Sequence, residues 1–187
     1  MEAQKTCTAF SESKRVASGE IHDVATKVKE FLKKNPKSSV LVFDDTTSQQ
    51  VELDLRGTTD AVAKRYEPAV EEEKKPGPGR PKLGVVPKEV TLLPQHWDWL
   101  AIQPGGASVT LRRLVDEARK KSSARDQLRQ AQDATYKFMT AMAGDFPDYE
   151  EALRALFAKD AEKFKKLVGP WAKDVREHVL RLADSAF

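Results

Sequence analysis

Residues 74–88, KKPGPGRPKLGVVPK, divide the chain and decide how its parts can be arranged. Prolines and glycines at this density disfavour helix and strand, and they predict an extended tether. The stretch carries five positive charges and no negative one. Residues 1–67 and 122–187 each contain eleven basic and eleven acidic residues, so the net charge of +3 lies between them. A cationic tether favours binding to a polyanion, because binding releases condensed counterions, and nucleic acid is the leading candidate.

The residues before the tether predict a small α+β unit of order ββαββα. The apolar run SVLVFD at 39–44 indicates a central strand, and the alternating VELDL at 51–55 is expected to pair with it. Thr58 is a candidate N-cap for a short helix. The predicted elements are strands at 6–10, 15–18, 39–44 and 51–55, and helices at 23–34 and 58–66.

The residues after the tether predict a short strand at 89–93, closed by Pro94, and then only helices. A helix at 95–102 carries Trp97 and Trp99, of which one is expected in a core and the other over a dimer seam or a neighbouring domain. Ser108 is the expected N-cap of the next helix, whose apolar stripe is Leu111, Leu114, Val115 and Ala118. The remaining predicted helices are 109–121, 125–143, 149–158, 161–168 and 172–183.

Apolar side chains at helical spacing in the C-terminal helices predict a bundle core. They are Phe138, Met139, Met142, Leu153, Leu156, Phe157, Phe164, Leu167, Trp171, Val175, Val179 and Leu182. Four regions follow from these patterns: an N-terminal α+β domain at 1–67, a basic linker at 68–86, a strand–helix–helix segment at 87–121 and a C-terminal helical region at 122–187.

Several classes of protein are disfavoured by what the sequence lacks. A single cysteine, Cys7, excludes an intrachain disulfide and is expected to be a buried small hydrophobe. The N-terminus lacks the apolar core of a signal peptide, and no run is long enough to span a membrane, so we expect a cytoplasmic protein. The three histidines lie on separate segments without metal-ligand spacing, and residues 44–47 (DDTT) predict a turn. We therefore expect no enzyme, cofactor, metal or small-molecule substrate.

The stretch VPKEVTLLPQHWDWLAIQPGGASVTLRRLVDEARKK, residues 86–121, resembles a ribbon-helix-helix module. In that family a short strand pairs with its twin from a second chain, and the ribbon enters the DNA major groove. The resemblance implies a homodimer, with the N–H groups of residues 108–111 placed for a phosphate. The strand departs from the family because neither Lys88, Val90 and Leu92 nor Glu89 and Thr91 supplies the usual polar base-reading side chains. Two readings therefore stay open, a ribbon that docks differently on DNA and a ribbon that only dimerises.

Residues 78–82, PGRPK, are similar to the core of an AT-hook. That motif inserts an extended Arg-Pro arm into the narrow minor groove of A·T-rich DNA. Pro78 stands where the family usually has a second arginine. The resemblance implies that Arg80 and Lys82 enter the groove.

The whole chain is also similar to an uncharacterised bacterial family known only as a domain of unknown function, which implies a bacterial origin and transfers no activity. This likeness extends from CTAF at 7–10 to FMTAMAGD at 138–145. Together, these patterns predict a bacterial DNA-binding protein, a transcriptional regulator or a nucleoid-type binder. The alternative is a non-enzymatic protein–protein interaction or antitoxin-like module whose ribbon only dimerises. The expected DNA-binding residues are Lys74, Lys75, Arg80, Lys82, Lys88, Ser108, Arg112 and Arg113.

Overall fold

A computed structural model describes residues 6–67 and 84–187 of the protein, which fall into two compact units. The first unit combines residues 6–67 with residues 124–187, and the second comprises residues 84–123. The first is a mixed α+β structure with a three-stranded antiparallel sheet, which confirms the predicted fold class. The two ends of the chain therefore share one core, an arrangement that the sequence did not indicate.

The sheet of the first unit has the order β2-β1-β3 and is antiparallel throughout. Strand β1 (Thr6–Ser11) lies in the centre between β2 (Lys14–Glu20) and β3 (Leu41–Asp44). The prediction of a central strand at 39–44 was wrong in this respect, because β3 lies at the edge of the sheet and β1 is the strand with a hydrogen-bonded neighbour on each side. Cys7 and Ala9 belong to a core shared with a helix on one face, whereas Phe10 belongs to a core shared with the C-terminal helices on the other.

The predicted fourth strand at 51–55 was also wrong. Pairing with β3 stops after one bridge, Phe43 to Gln50, whose two hydrogen bonds run from Val51 N–H to Val42 O at 2.8 Å and from Asp44 N–H to Gln49 O at 2.9 Å. The alternating apolar side chains of 51–55 still lie against the core beside β3. Other elements bind the backbone here, since Lys29 Nζ donates to Leu55 O and Asp54 N–H donates to the Tyr66 hydroxyl. The alternation was therefore a correct indication of one buried face, and it did not require a strand partner.

Two helices follow the predicted positions in the N-terminal region. Helix α1 (Ile21–Lys34) covers one face of the sheet with Val24 and Val28, which are fully buried. Helix α2 (Thr59–Tyr66) begins at Thr58, whose hydroxyl accepts a hydrogen bond from Ala61 N–H at 3.2 Å. That contact confirms Thr58 as an N-cap, because it satisfies one of the free N–H groups at the start of the helix.

The C-terminal helices cover the other face of the sheet. Helices α5 (Tyr149–Phe157), α6 (Ala161–Val168) and α7 (Lys173–Leu182) agree with the prediction to within one residue at each end, and a 3-10 turn (Ala183–Ser185) follows. The predicted bundle core is largely confirmed, and Phe10 and Phe43 of the sheet join it with ring centroids 5.3 and 5.1 Å from that of Phe138. Phe157 is the exception, because 52% of it is exposed.

The second unit contains helix α3 (Pro94–Ala101) and the beginning of helix α4 (Gly106–Met142). We expected two helices, 109–121 and 125–143, where the structure has one continuous helix of 37 residues. The residues between them are Ser122, Ser123 and Ala124, and serine lowers helix stability by only a fraction of a kcal/mol, whereas glycine or proline would interrupt the helix. Residues 84–93 form neither helix nor strand within the described chain. The strand expected at 89–93 requires a second chain and stays a prediction.

Candidate functional site

The structure describes four of the eight expected DNA-binding residues, all in the second unit. Lys88 is exposed in the extended segment before α3, and Ser108, Arg112 and Arg113 are exposed on the first two turns of α4. Lys74, Lys75, Arg80 and Lys82 lie outside the described residues.

Ser108 is not the N-cap that we expected. Helix α4 begins at Gly106, two residues earlier, because Gly105 and Gly106 adopt positive φ angles of 83° and 74° and turn the chain directly into the helix. Gly106 N–H donates to Gln103 O at 3.0 Å. Helix geometry leaves the N–H groups of Ala107 and Ser108 without a partner inside the helix. The phosphate-binding position expected at 108–111 therefore moves two residues towards the N-terminus, which is a little more than half a turn.

The basic side chains of the second unit are not neutralised by its acidic ones. Residues 84–123 contain six basic and four acidic residues, and none of them takes part in the ion pairs of the described chain. Arg112 Nε donates to Ser108 O at 3.1 Å, which holds the guanidinium against the first turn of α4. Arg113 points about 100° further round the helix. The unit thus presents cations from more than one side of α4.

Exposed apolar side chains are concentrated in the same unit. Among the described residues, thirteen large hydrophobic side chains are exposed, and ten of these lie within residues 84–123. They are Val85, Val86, Val90, Leu93, Trp97, Trp99, Ile102, Val109, Leu114 and Val115. The expectation that one tryptophan lies in a core was wrong for the single chain, since Trp97 and Trp99 are 44% and 47% exposed. Leu100 and Thr110 are the residues of this unit that are buried.

A second polar feature lies in the first unit and joins the sheet to α7. Asp45 Oδ1 accepts hydrogen bonds from Thr8 Oγ1 at 2.6 Å and from Arg181 Nη2 at 2.8 Å. Arg181 Nη2 also lies 3.0 Å from His178 Nδ1. Sequence reasoning missed this cluster, because its members are far apart in the chain and none belongs to a motif.

His178 is buried within this cluster. Its ring packs against Phe10 and Phe138, with centroids 5.2 and 4.3 Å away, and 1% of the residue is exposed. Nδ1 accepts from Arg181, so Nε2 carries the proton, and that N–H has no hydrogen-bond partner among the described residues. Burial, reinforced by the positive charge of Arg181, lowers the pKa of His178 to about 4. The imidazole is therefore neutral at pH 7.

An open cleft of about 580 Å³ lies beside Asp45 and Arg181. Its other polar lining groups include Thr6, Gln127 and Gln130. Among the described residues that line it, the two charged ones, Asp45 and Arg181, pair with each other, so these residues give the cleft no net charge. The neighbouring loop is a turn, as predicted, since Asp44 Oδ1 accepts from the N–H groups of Thr46 and Thr47.

Metal binding and membrane insertion receive no support from the described residues. No group of three or more His, Cys, Asp or Glu side chains in residues 6–67 and 84–187 is arranged to hold a metal ion. In the same ranges, no helix combines the length and the apolar character needed to cross a membrane. Cys7 is buried, as expected.

The chain belongs to a family described as an uncharacterized protein conserved in bacteria (DUF2239), whose profile matches residues 6–183. No curated protein matches the chain, and neither does any solved structure.

Proposed function

We propose that the protein is a DNA-binding homodimer of the bacterial cytoplasm, acting as a transcriptional regulator or a nucleoid-type binder. The supporting observation is the character of the second unit, whose exposed cations form no ion pair with any other residue of the described ranges 6–67 and 84–187. The rest of the chain is balanced in charge, so a polyanion would be attracted to this unit and to the basic residues before it.

Each residue has a distinct role in the proposal. Arg80 and Lys82 enter the minor groove of A·T-rich DNA, where the narrow groove concentrates negative potential. Lys74, Lys75 and Lys88 neutralise phosphates, and the N–H groups at the beginning of α4, around Ser108, fix one phosphate. Arg112 and Arg113 provide secondary phosphate contacts. In this proposal most of the affinity comes from contacts with the phosphate backbone of DNA, and the preference for A·T comes from contacts in the minor groove.

The second candidate is a protein–protein interaction or antitoxin-like module whose ribbon only dimerises. The observation that favours it is the apolar character of the extended segment. Val85, Val86, Val90 and Leu93 are all more than half exposed there, and Lys88 is the one basic residue between Gly84 and Leu93. A surface of this composition suits another protein better than the edges of bases.

Fluorescence anisotropy with labelled A·T-rich and G·C-rich duplexes of equal length, titrated at several salt concentrations, separates the two candidates. The DNA-binding proposal predicts tighter binding to the A·T-rich duplex and affinity that falls steeply with salt. Failure to bind either duplex at low salt would reject it in favour of the interaction module. Equal affinity for both duplexes would reject the role of Arg80 in the minor groove and leave a phosphate-binding role.

A further inference from the structure

A second cleft, of about 420 Å³, lies in the first unit between the turn that follows β3 and the C-terminal part of helix α4. Ligand sites in proteins are concave regions of about 300–1,000 Å³ that combine an apolar wall with a few polar groups. The cleft has this size and this composition. The residues that line it are Phe43, Ser48, Gln49, Gln50, Tyr136, Lys137, Thr140 and Ala141.

The apolar wall of the cleft includes an exposed aromatic ring. Tyr136 is 42% exposed, and its ring packs against that of Phe157, with the ring centroids 6.0 Å apart. Among the described residues of the first unit, the exposed large hydrophobic side chains are these two and Leu41. Two of the three are therefore adjacent, and one of these two lines the cleft. A planar apolar molecule is suited to stacking on such a ring.

The polar lining of the cleft carries one positive charge. Lys137 is the charged residue among the described residues of the lining, and it forms no ion pair within the ranges 6–67 and 84–187. Gln49 and Gln50 are exposed, and their side-chain amides form no hydrogen bond with another described residue. An ammonium group and amide N–H groups all donate hydrogen bonds, so this lining favours an anion with oxygen acceptors.

Ser48 adds a buried hydroxyl that lacks a hydrogen-bond partner. The residue is 3% exposed, and its Oγ forms no hydrogen bond with any described residue. Its φ angle of 53° lies in the left-handed region that favours glycine or asparagine. The turn itself uses the backbone of Ser48, whose N–H donates to Asp44 O at 2.8 Å. A strained side chain with an unsatisfied hydroxyl, in the wall of a cleft, indicates that a ligand supplies the acceptor.

We infer that the first unit binds a small aromatic carboxylate in this cleft. The ring of the ligand stacks on Tyr136, and its carboxylate accepts hydrogen bonds from Lys137 Nζ and, after a rotation about χ1, from Ser48 Oγ. A carboxylate matches the single charge of Lys137, whereas a phosphate monoester carries nearly two negative charges. DNA binding as proposed does not use this cleft, so the inference goes beyond the proposed function.

The test follows the amide signals of the isotope-labelled full-length protein by NMR during titration with three probes. Benzoate has the ring and the charge, benzamide has the ring without the charge, and cyclohexanecarboxylate has the charge without an aromatic ring. Benzoate should shift the signals of residues 48–50 and 136–141 in a saturable manner, with a Kd of about 1 mM for so small a ligand. Benzamide and cyclohexanecarboxylate should each bind at least about threefold more weakly.

Three substitutions locate the site. Lys137→Gln removes the charge, Tyr136→Leu removes the aromatic face, and Ser48→Gly removes the hydroxyl while it suits the φ angle of 53° better. Each should raise the Kd for benzoate at least about threefold. The matched control is Lys165→Gln, which removes the same charge from the exposed surface of α6 and should leave the Kd unchanged. Urea unfolding should show that Ser48→Gly is at least as stable as the wild type, so that its weaker binding reports the lost hydroxyl and not a damaged fold.

The outcomes do not depend on whether the protein binds DNA. Shifts that fail to saturate by about 20 mM benzoate, or equal affinity for benzoate and either of the other probes, would overturn the inference. Benzoate that mainly shifts residues 84–123 would also overturn it, because binding would then follow exposed apolar surface. Equal effects of Lys165→Gln and Lys137→Gln would do the same, because binding would then follow net charge. Saturable binding that the three cleft substitutions weaken, and that the control leaves unchanged, would support the inference.

Discussion

Arg181 Nη2 donates to Asp45 Oδ1 at 2.8 Å, and these two residues are 136 positions apart in the chain. The pair connects the loop after β3 to helix α7, so it stabilises the packing of the C-terminal helices on the N-terminal sheet. Arg15 strengthens the same contact from β2, because its N–H donates to Asp174 Oδ2 at 2.9 Å. The first unit is therefore held at this side by polar bonds in addition to its shared aromatic core.

Asp45→Ala should destabilise the first unit by about 1 to 2 kcal/mol, because it removes the acceptor of Thr8 Oγ1 and Arg181 Nη2. Urea unfolding followed by circular dichroism measures the loss. The matched control is Asp133→Ala, since Asp133 is exposed on α4 and takes no part in an ion pair of the described residues. A double-mutant cycle with Arg181→Met should show favourable coupling, and a coupling energy of zero would contradict a direct bond.

Acid should destabilise the first unit through His178. The pKa of this imidazole is lowered to about 4 in the folded chain, from an ordinary value of 6.5, because burial disfavours the charged ring. Between those two values the unfolded chain binds a proton that the folded chain does not. The free energy of unfolding should therefore fall as the pH is lowered from about 6.5 towards 4, by at most about 1.4 kcal/mol for each pH unit.

The variant His178→Asn keeps an acceptor for Arg181 and should remove this part of the pH dependence. Urea unfolding of wild type and variant at half-unit steps from pH 7.5 to 4 gives the comparison. His22→Asn is the control, because His22 lies partly exposed on α1 beside Glu20 and Asp23. Parallel pH profiles for wild type and His178→Asn would contradict the assignment.

Gln132 should stabilise the first unit through the hydrogen bonds of its buried side-chain amide. It is 9% exposed on α4, and its Nε2 donates to Leu156 O at 3.1 Å and to Ala186 O at 3.2 Å. Gln132→Met keeps the volume but removes the side-chain donor to the Ala186 carbonyl and leaves Leu156 O with the N–H of Lys159, so we expect a loss of about 1 to 2 kcal/mol in the free energy of unfolding. The exposed Gln130→Met serves as the control in the same thermal or urea experiment and should change stability by less than about 0.5 kcal/mol.

Replacing Arg80 and Lys82 together by alanine should weaken binding to A·T-rich DNA and lower the slope of log K against log salt by about 2. The reason is that each lost cation releases one counterion fewer on binding. Lys165→Ala with Lys166→Ala removes the same charge from the exposed surface of α6 and is the matched control. Equal effects of the two double variants would show that net charge, and not the arm, governs affinity.

Local patterns predicted most of the elements because their causes are local. Thr58 caps α2 through a contact three residues away, and α6 agrees with its predicted bounds of 161–168 because glycine, proline and an Asp160 cap mark its ends. The errors arose where contacts between distant residues, and not a local pattern, set the structure. The extended residues 51–55 lost their strand partner because Lys29 and Tyr66, from two helices, bind their backbone instead. The candidate cations could be recognised from the amino-acid composition. No sequence motif, in contrast, marks the cluster formed by Thr8, Asp45, Arg181 and His178.

The sequence alone therefore determined most of the elements, the α+β class and the concentration of positive charge between two balanced regions, since helical period, capping and charge are properties of neighbouring residues. Tertiary structure decided that residues 6–67 and 124–187 share one core and that β1, not β3, lies at the centre of the sheet. It also decided that His178 is buried and that ten apolar side chains of the second unit remain exposed. Those outcomes depend on which distant surfaces meet and exclude water, and the order of residues along a chain does not specify that locally.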